Sequence, residues 1–123
     1  MKLYRTGYYR EMPHGEPTDP SIKDNIGYKY TDLEKETISK YLEKGIVLVA
    51  CGGTVNDVIS GNDIVAGCPD MLTDGTWIWP GDLVYYVEKY GLQLDPEFVL
   101  HMKNADYTID ISIEDIDFDN LEV

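Results

Sequence analysis

Leu72–Gly91, LTDGTWIWPGDLVYYVEKYG, changes its local pattern several times in one short run, and its reading decides the fold. Asp74-Gly75 is a two-residue turn signal, because Asp and Gly tolerate the positive φ of a type I′ hairpin turn. Thr76 to Trp79 reads as a short strand of residues that pack well on a pleated surface. Trp77 and Trp79 alternate along it, and one is expected to be largely buried and the other more exposed. Pro80 suits the first turn of a helix, with Asp82 near the positive end of its dipole. Leu83, Val84, Val87 and Tyr90 then fall on one apolar face, and Gly91 stops the helix. The order is strand, tight turn, strand, helix. Asp74 and Trp77 are either part of a site or the anchor of the core, and the anchor is the favoured reading.

Before this stretch, Leu3, Tyr4, Tyr8 and Tyr9 around Gly7 make an opening strand broken at the glycine. Its Lys2, Arg5 and Arg10 are expected to pair with the chain's own carboxylates. Residues 12–25, with three prolines and a glycine, read as a long surface loop, and 26–30 as a short strand. Thr31-Asp32-Leu33-Glu34 is a capping box, and Leu33, Thr37, Ile38, Tyr41 and Leu42 form the inward stripe of a helix ended by Gly45. Ile46 to Cys51, IVLVAC, is an uninterrupted apolar run that favours a central strand, with Cys51 buried at its end. Val58-Ile59 and Ile64-Val65 flank a Ser60–Asp63 turn, an exposed hairpin or looped excursion. Asp95 as cap and Pro96 at the first helical position start a last helix, with Phe98, Val99 and Met102 inward. Tyr107, Ile109, Ile111 and Ile113 alternate with polar residues, the period of a half-buried strand. The fold class is therefore α+β in a single domain, 1–123: a small mixed or antiparallel sheet holding 47–50 and 108–113, packed with helices 32–44, 80–90 and 96–103. An acidic end at 115–123 is free to leave the sheet.

Twenty-three acidic residues against ten basic ones give a net charge of −13 at pH 7. Such a surface repels phosphate backbones and excludes nucleic acid as partner, whereas a basic protein is steered toward it. No apolar run approaches a membrane span and the start lacks a signal peptide's apolar stretch, so a cytoplasmic protein with Cys51 and Cys68 reduced is expected. The ten tyrosines against two phenylalanines supply contact area with a polar tip, and part of that set belongs on half-buried strands or at an interface.

Machinery for chemistry is sparse. Gly52-Gly53-Thr54 lacks the spacing of a phosphate loop, and no Ser-His-acid, C-x-x-C or H-E-x-x-H pattern occurs. His14 has no second ligand within sequence reach, and His101 reads as a partly exposed helical histidine. Asp115, Asp117 and Asp119 have the opening spacing of a calcium loop, but Asn120 stands where its glycine is required and the bidentate glutamate is missing. No metal, cofactor or catalytic residue is assigned.

Thr73 to Met102 resembles a poorly characterised group of small bacterial proteins that share a DGTWxWPxxLxYYVEKY pattern. Asp74, Gly75, Trp77, Trp79, Pro80, Leu83, Tyr86, Val87 and Tyr90 carry the resemblance, followed by Pro96, Glu97, Phe98 and Met102. It implies a local structure and no chemistry. In general character the chain also resembles the immunity proteins that neutralise bacterial toxins. The functional expectation is an acidic protein-binding module that occludes a basic partner. Its steering charges are Asp110, Glu114, Asp115, Asp117 and Asp119, in a segment with no base after Lys103, and Phe118 is the candidate anchor. The alternative is a small carboxylate-based hydrolase, with Asp74 and Asp82 paired across a cleft beside a tryptophan wall, or a small-molecule binding protein.

Overall fold

A computed structural model describes residues 1–61 and 63–123. Asn62, within the Ser60–Asp63 turn, lies outside the described residues. The fold is α+β: a four-stranded sheet, a separate two-stranded hairpin and three helices. The sheet has the order β1-β6-β5-β2, built from β1 (Tyr4–Arg5), β2 (Ile46–Val49), β5 (Met71–Thr73) and β6 (Trp77–Pro80). Only β1 runs parallel to its neighbour, pairing Tyr4 with Trp77. The hairpin of β3 (Val55–Asn56) and β4 (Val65–Gly67) is the excursion expected between the glycines and Cys68.

The helices are α1 (Asp32–Glu43), α2 (Leu83–Tyr90) and α3 (Pro96–Asn104). The Thr31/Glu34 capping box is formed, with the Glu34 amide donating to Thr31 Oγ1 at 3.1 Å and the Thr31 amide to Glu34 Oε1 at 3.0 Å. Asp95 Oδ1 accepts from the Glu97 amide at 2.9 Å and caps α3. Two details of the helical pattern differ. Leu33, on the expected inward stripe, is 73% exposed, because α1 docks through Ile38, Tyr41 and Leu42. And α2 starts at Leu83, not at Pro80, which is the last residue of β6 and pairs with Met71.

Both tryptophans are buried, Trp77 at 8% and Trp79 at 0% exposure, against the expectation of one in and one out. Residues two apart on a strand share a face, and it is Ile78 that points the other way. Phe98 of α3 packs against both indoles, with ring centroids 5.3 and 5.2 Å away, and Tyr41 of α1 lies 6.1 Å from Trp79. The Trp79 Nε1 donates to the Leu42 carbonyl at 3.3 Å. Gly45 makes this possible: a Cβ there would come within 2.6 Å of the Trp79 ring. The WIW stretch is thus the anchor of the helix-side core.

β2 sits at a sheet edge, not at its centre, and Cys51 beyond it is exposed. An unbroken apolar run signals burial on both faces, but here Val47 and Val49 lie on an edge strand and stay 47% and 45% exposed. The 26–30 segment forms no strand; it lies along the end of α2, Gly27 donating to the Tyr90 carbonyl at 2.9 Å. The 12–25 loop is surface in part only, since it buries Met12 and Ile22 and holds a 3₁₀ turn at Ile22–Asp24. Arg5, in the basic opening segment, is held by Asp19 of this loop at 2.5 and 2.9 Å.

The largest departure is at the C-terminus. No strand forms at 108–113. Asp106 and Tyr107 take positive φ, 52° and 54°, and turn the chain sharply after α3. The alternation nevertheless has its packing meaning: Tyr107 and Ile109 rest on the helix-side core, and Ile111 lies over Gly75 at the β5–β6 turn. The chain continues as a strap past β2, with 3₁₀ turns at Ile113–Asp115 and Phe118–Asn120. It ends beside β1, where the Leu3 amide donates to the Glu122 carbonyl and the Glu122 amide to that of Met1, each at 2.7 Å. Ile116 is buried but lies outside the helix-side cluster, as do Leu3 and Ile78. Since Ile78 faces away from the tryptophans and Leu3 shares its side, Ile116 is assigned to the sheet's second face. Ile116→Ala is expected to cost about 2 kcal/mol and to speed amide exchange over 113–122 while leaving that of α3 unchanged. Equal protection of the strap in both proteins would contradict this pinning role.

Candidate functional site

The strap carries every residue assigned to partner binding. Asp110, Glu114, Asp115, Asp117 and Asp119 are exposed, and Phe118 stands between two of them at 53% exposure. Their arrangement is set locally. The Ser112 amide donates to Asp115 Oδ2 and the Ser112 hydroxyl to Glu114 Oε2, both at 2.8 Å, which closes the first 3₁₀ turn. Asn120 Nδ2 donates to Asp117 Oδ2 at 3.0 Å, and that bond lowers the Asp117 pKa. Buried Ile116 between these turns forces its neighbours outward. The product is a row of carboxylates with an unburied phenyl ring among them, on backbone tied to the N-terminal segment.

The carboxylates of Asp57, Asp74 and Asp82 are different: all three are buried. Asp57 Oδ2 accepts from Tyr85 Oη at 2.7 Å and Tyr90 Oη at 2.5 Å, while Oδ1 accepts from the Ile59 and Ser60 amides at 2.8 and 2.9 Å. Burial alone would raise its pKa, but the donors from Tyr90, Ser60, Tyr85 and Ile59 outweigh it and hold the carboxyl well below the usual range. Tyr86 adds a further tie, its hydroxyl accepting from the Val58 amide at 3.0 Å, with burial pushing the phenol up to about 12. Tyrosines of α2 thereby fasten the loop after β3 to the helix.

Asp74 performs the same service at the β5–β6 turn. Its Oδ1 accepts from the Thr76 and Trp77 amides at 2.9 and 2.7 Å, and its Oδ2 from Tyr41 Oη at 2.5 Å, with His101 Nε2 at 3.2 Å. Burial, and then this bond to Asp74, raises the Tyr41 pKa. The turn spans 74–76 with Gly75 alone at positive φ, 96°, so it is an Asp-capped three-residue loop and not type I′. Asp82 faces His14, whose Nε2 lies 3.0 Å from Oδ1. Asp74 and Asp82 stand at opposite ends of β6, Asp74 held by the Thr76 and Trp77 amides, Tyr41 and His101 and Asp82 by His14, and both tryptophans are in the core. They do not face one another across a cleft, and no indole wall is offered to a sugar.

His14 and Cys51 line a cavity of about 440 Å³ with apolar Pro13, Val55, Pro69 and Met71. The polar atoms that would work there, His14 Nδ1 and the Tyr8 hydroxyl, are both sealed from solvent and without a hydrogen-bond partner. Among the described residues no group of three or more His, Cys, Asp or Glu side chains is placed to hold a metal ion. No described helix is long and apolar enough to cross a membrane.

Sequence reasoning singled out Asp74 and Asp82 but missed Asp57, and it missed the role of His101 and His14 as partners of Asp74 and Asp82. The excess of tyrosine over phenylalanine was the available signal, since a buried phenol needs an acceptor. Comparison with family models, with curated proteins and with solved structures gives no match.

Proposed function

We propose that this protein is an acidic binding module that occludes a basic protein partner in the cytoplasm, in the manner of an immunity protein neutralising a toxin. One observation carries the reading: Asp110, Glu114, Asp115, Asp117 and Asp119 are all exposed on the strap, around a half-exposed Phe118, in a segment that contains no Lys or Arg. Closely spaced carboxylates repel one another, and a cationic partner relieves that repulsion as it docks. Phe118 supplies an apolar anchor at the centre of the acidic rim, the arrangement in which a few buried contacts carry most of the affinity. Of the other acids, Asp57, Asp74 and Asp82 are buried ties, Glu11, Asp19 and Asp70 are half-buried and hydrogen-bonded within the chain, and the rest are exposed. Only the exposed set is available to a partner.

Affinity capture from native lysate tests the reading, with the wild-type chain and an Asp115→Asn/Asp117→Asn/Asp119→Asn variant as baits. A basic protein retained by the wild type at low ionic strength is expected to be lost from the variant and at high ionic strength. Identical retention on both baits would contradict the strap as binding site. Restoration of growth when the captured protein is co-produced with this chain would identify it as a toxin.

A further inference from the structure

We infer that the free edge of β2 is a strand-addition site for an extended, basic segment of the partner. The inference rests on the reading above that the partner is basic, and names the way in which it is held. Among the described residues β2 pairs with β5 alone, so its outer edge presents unpaired backbone groups. Such an edge is a template for another strand, and folded proteins ordinarily blunt it with charge, proline, a bulge or a covering element, of which this edge has the bulge. This one carries IVLV, with Val47 and Val49 at 47% and 45% exposure, and no charged side chain of its own. The bulge in its register occurs between Val47 and Val49, where the pairing with β5 shifts.

The charges lie beside the edge instead. The 3₁₀ turn Ile113–Asp115 lies against β2, and it carries the exposed Glu114 and Asp115 and the half-exposed Ile113. An apolar strip with unpaired backbone, flanked by carboxylates, fits an extended segment in which apolar and basic residues alternate. Main-chain bonds would supply affinity, the valines an apolar contact, and the carboxylates selection for Lys or Arg. The same carboxylates disfavour the other natural occupant, a second copy of this chain. Two chains of net charge −13 would have to bring their acidic turns together to pair edge to edge.

The test uses the whole chain and a synthetic peptide of alternating Lys and Val, beside the same peptide N-methylated on alternate residues. N-methylation leaves charge and side chains intact and removes the donors that a strand needs. The unmodified peptide is expected to bind at least about tenfold more tightly and to slow exchange of the β2 amides. Val47→Glu with Val49→Glu adds negative charge at exposed positions. Pure electrostatic adsorption therefore predicts tighter binding of the peptide, whereas strand addition predicts binding weaker by about tenfold or more. Equal affinity for the two peptides, tighter binding by the valine variant, or no binding of the unmodified peptide would overturn the inference. So would a concentration-dependent dimer of the chain that the valine substitutions disperse. Exchange protection confined to 110–120, with β2 unaffected, would overturn the edge site and leave the binding function standing. A capture experiment that retains no basic protein would remove the binding function itself.

Discussion

Trp79→Ala is expected to lower the free energy of unfolding by about 4 kcal/mol, through lost transfer energy and the cavity left behind. The indole is fully buried, lies against Phe98 and Tyr41, and donates to the Leu42 carbonyl, so that sheet, α1 and α3 meet on one ring. Trp77→Ala is expected to cost nearly as much, about 3 kcal/mol, because Phe98 packs on that indole as well. Tyr4, partnered with Trp77 across the β1–β6 pair and 5.7 Å from its ring, is half-exposed and allows some collapse at that side. Denaturant midpoints measure both. Midpoints that barely move for either variant would contradict the assignment of this stretch as the anchor of the core.

The second large effect is at Asp57. Asp57→Ala removes the acceptor for two tyrosine hydroxyls and two backbone amides, and is expected to cost about 3 kcal/mol. Its pH dependence has a definite sign. The folded-state pKa is depressed, so the carboxylate contributes stability that is fully present above the unfolded value of about 4. That contribution is lost as pH falls from there toward the lower folded-state value. Asp57→Asn is therefore expected to flatten the acid limb of the stability profile below about pH 4, besides lowering its plateau. Acid limbs of equal slope in the two proteins would show that the tyrosine donors do not act on Asp57 as described.

Signals that act within a few residues were legible in the sequence. The Thr31–Glu34 box, the Asp95-Pro96 start and the Gly91 stop depend on local backbone geometry, and all three stand where expected. The hairpin around Asp74-Gly75 was legible too, although the aspartate acts as a side-chain cap rather than by adopting positive φ. What was not legible depends on partners distant in sequence. IVLVAC reads the same at a sheet edge as at its centre, because periodicity reports apolar character and not neighbours. The alternation from Tyr107 to Ile113 reported a half-buried segment, yet a ladder also needs an edge in register, and the turn at Asp106-Tyr107 carries the chain across the sheet instead of along it. The acids presented the hardest case. Asp57 and Asp119 are alike in sequence, and only the fold makes one a buried tie and leaves the other at the surface.

That division of the carboxylates is the account's central claim, and the association kinetics of the captured partner test it most directly. The wild-type association rate is expected to fall steeply with ionic strength, while Asp115→Asn/Asp117→Asn/Asp119→Asn lowers that rate and flattens its salt dependence with little change in dissociation. Phe118→Ala is expected to act in the opposite way, raising the dissociation rate and sparing association. An association rate unaffected both by salt and by the three substitutions would contradict the claim.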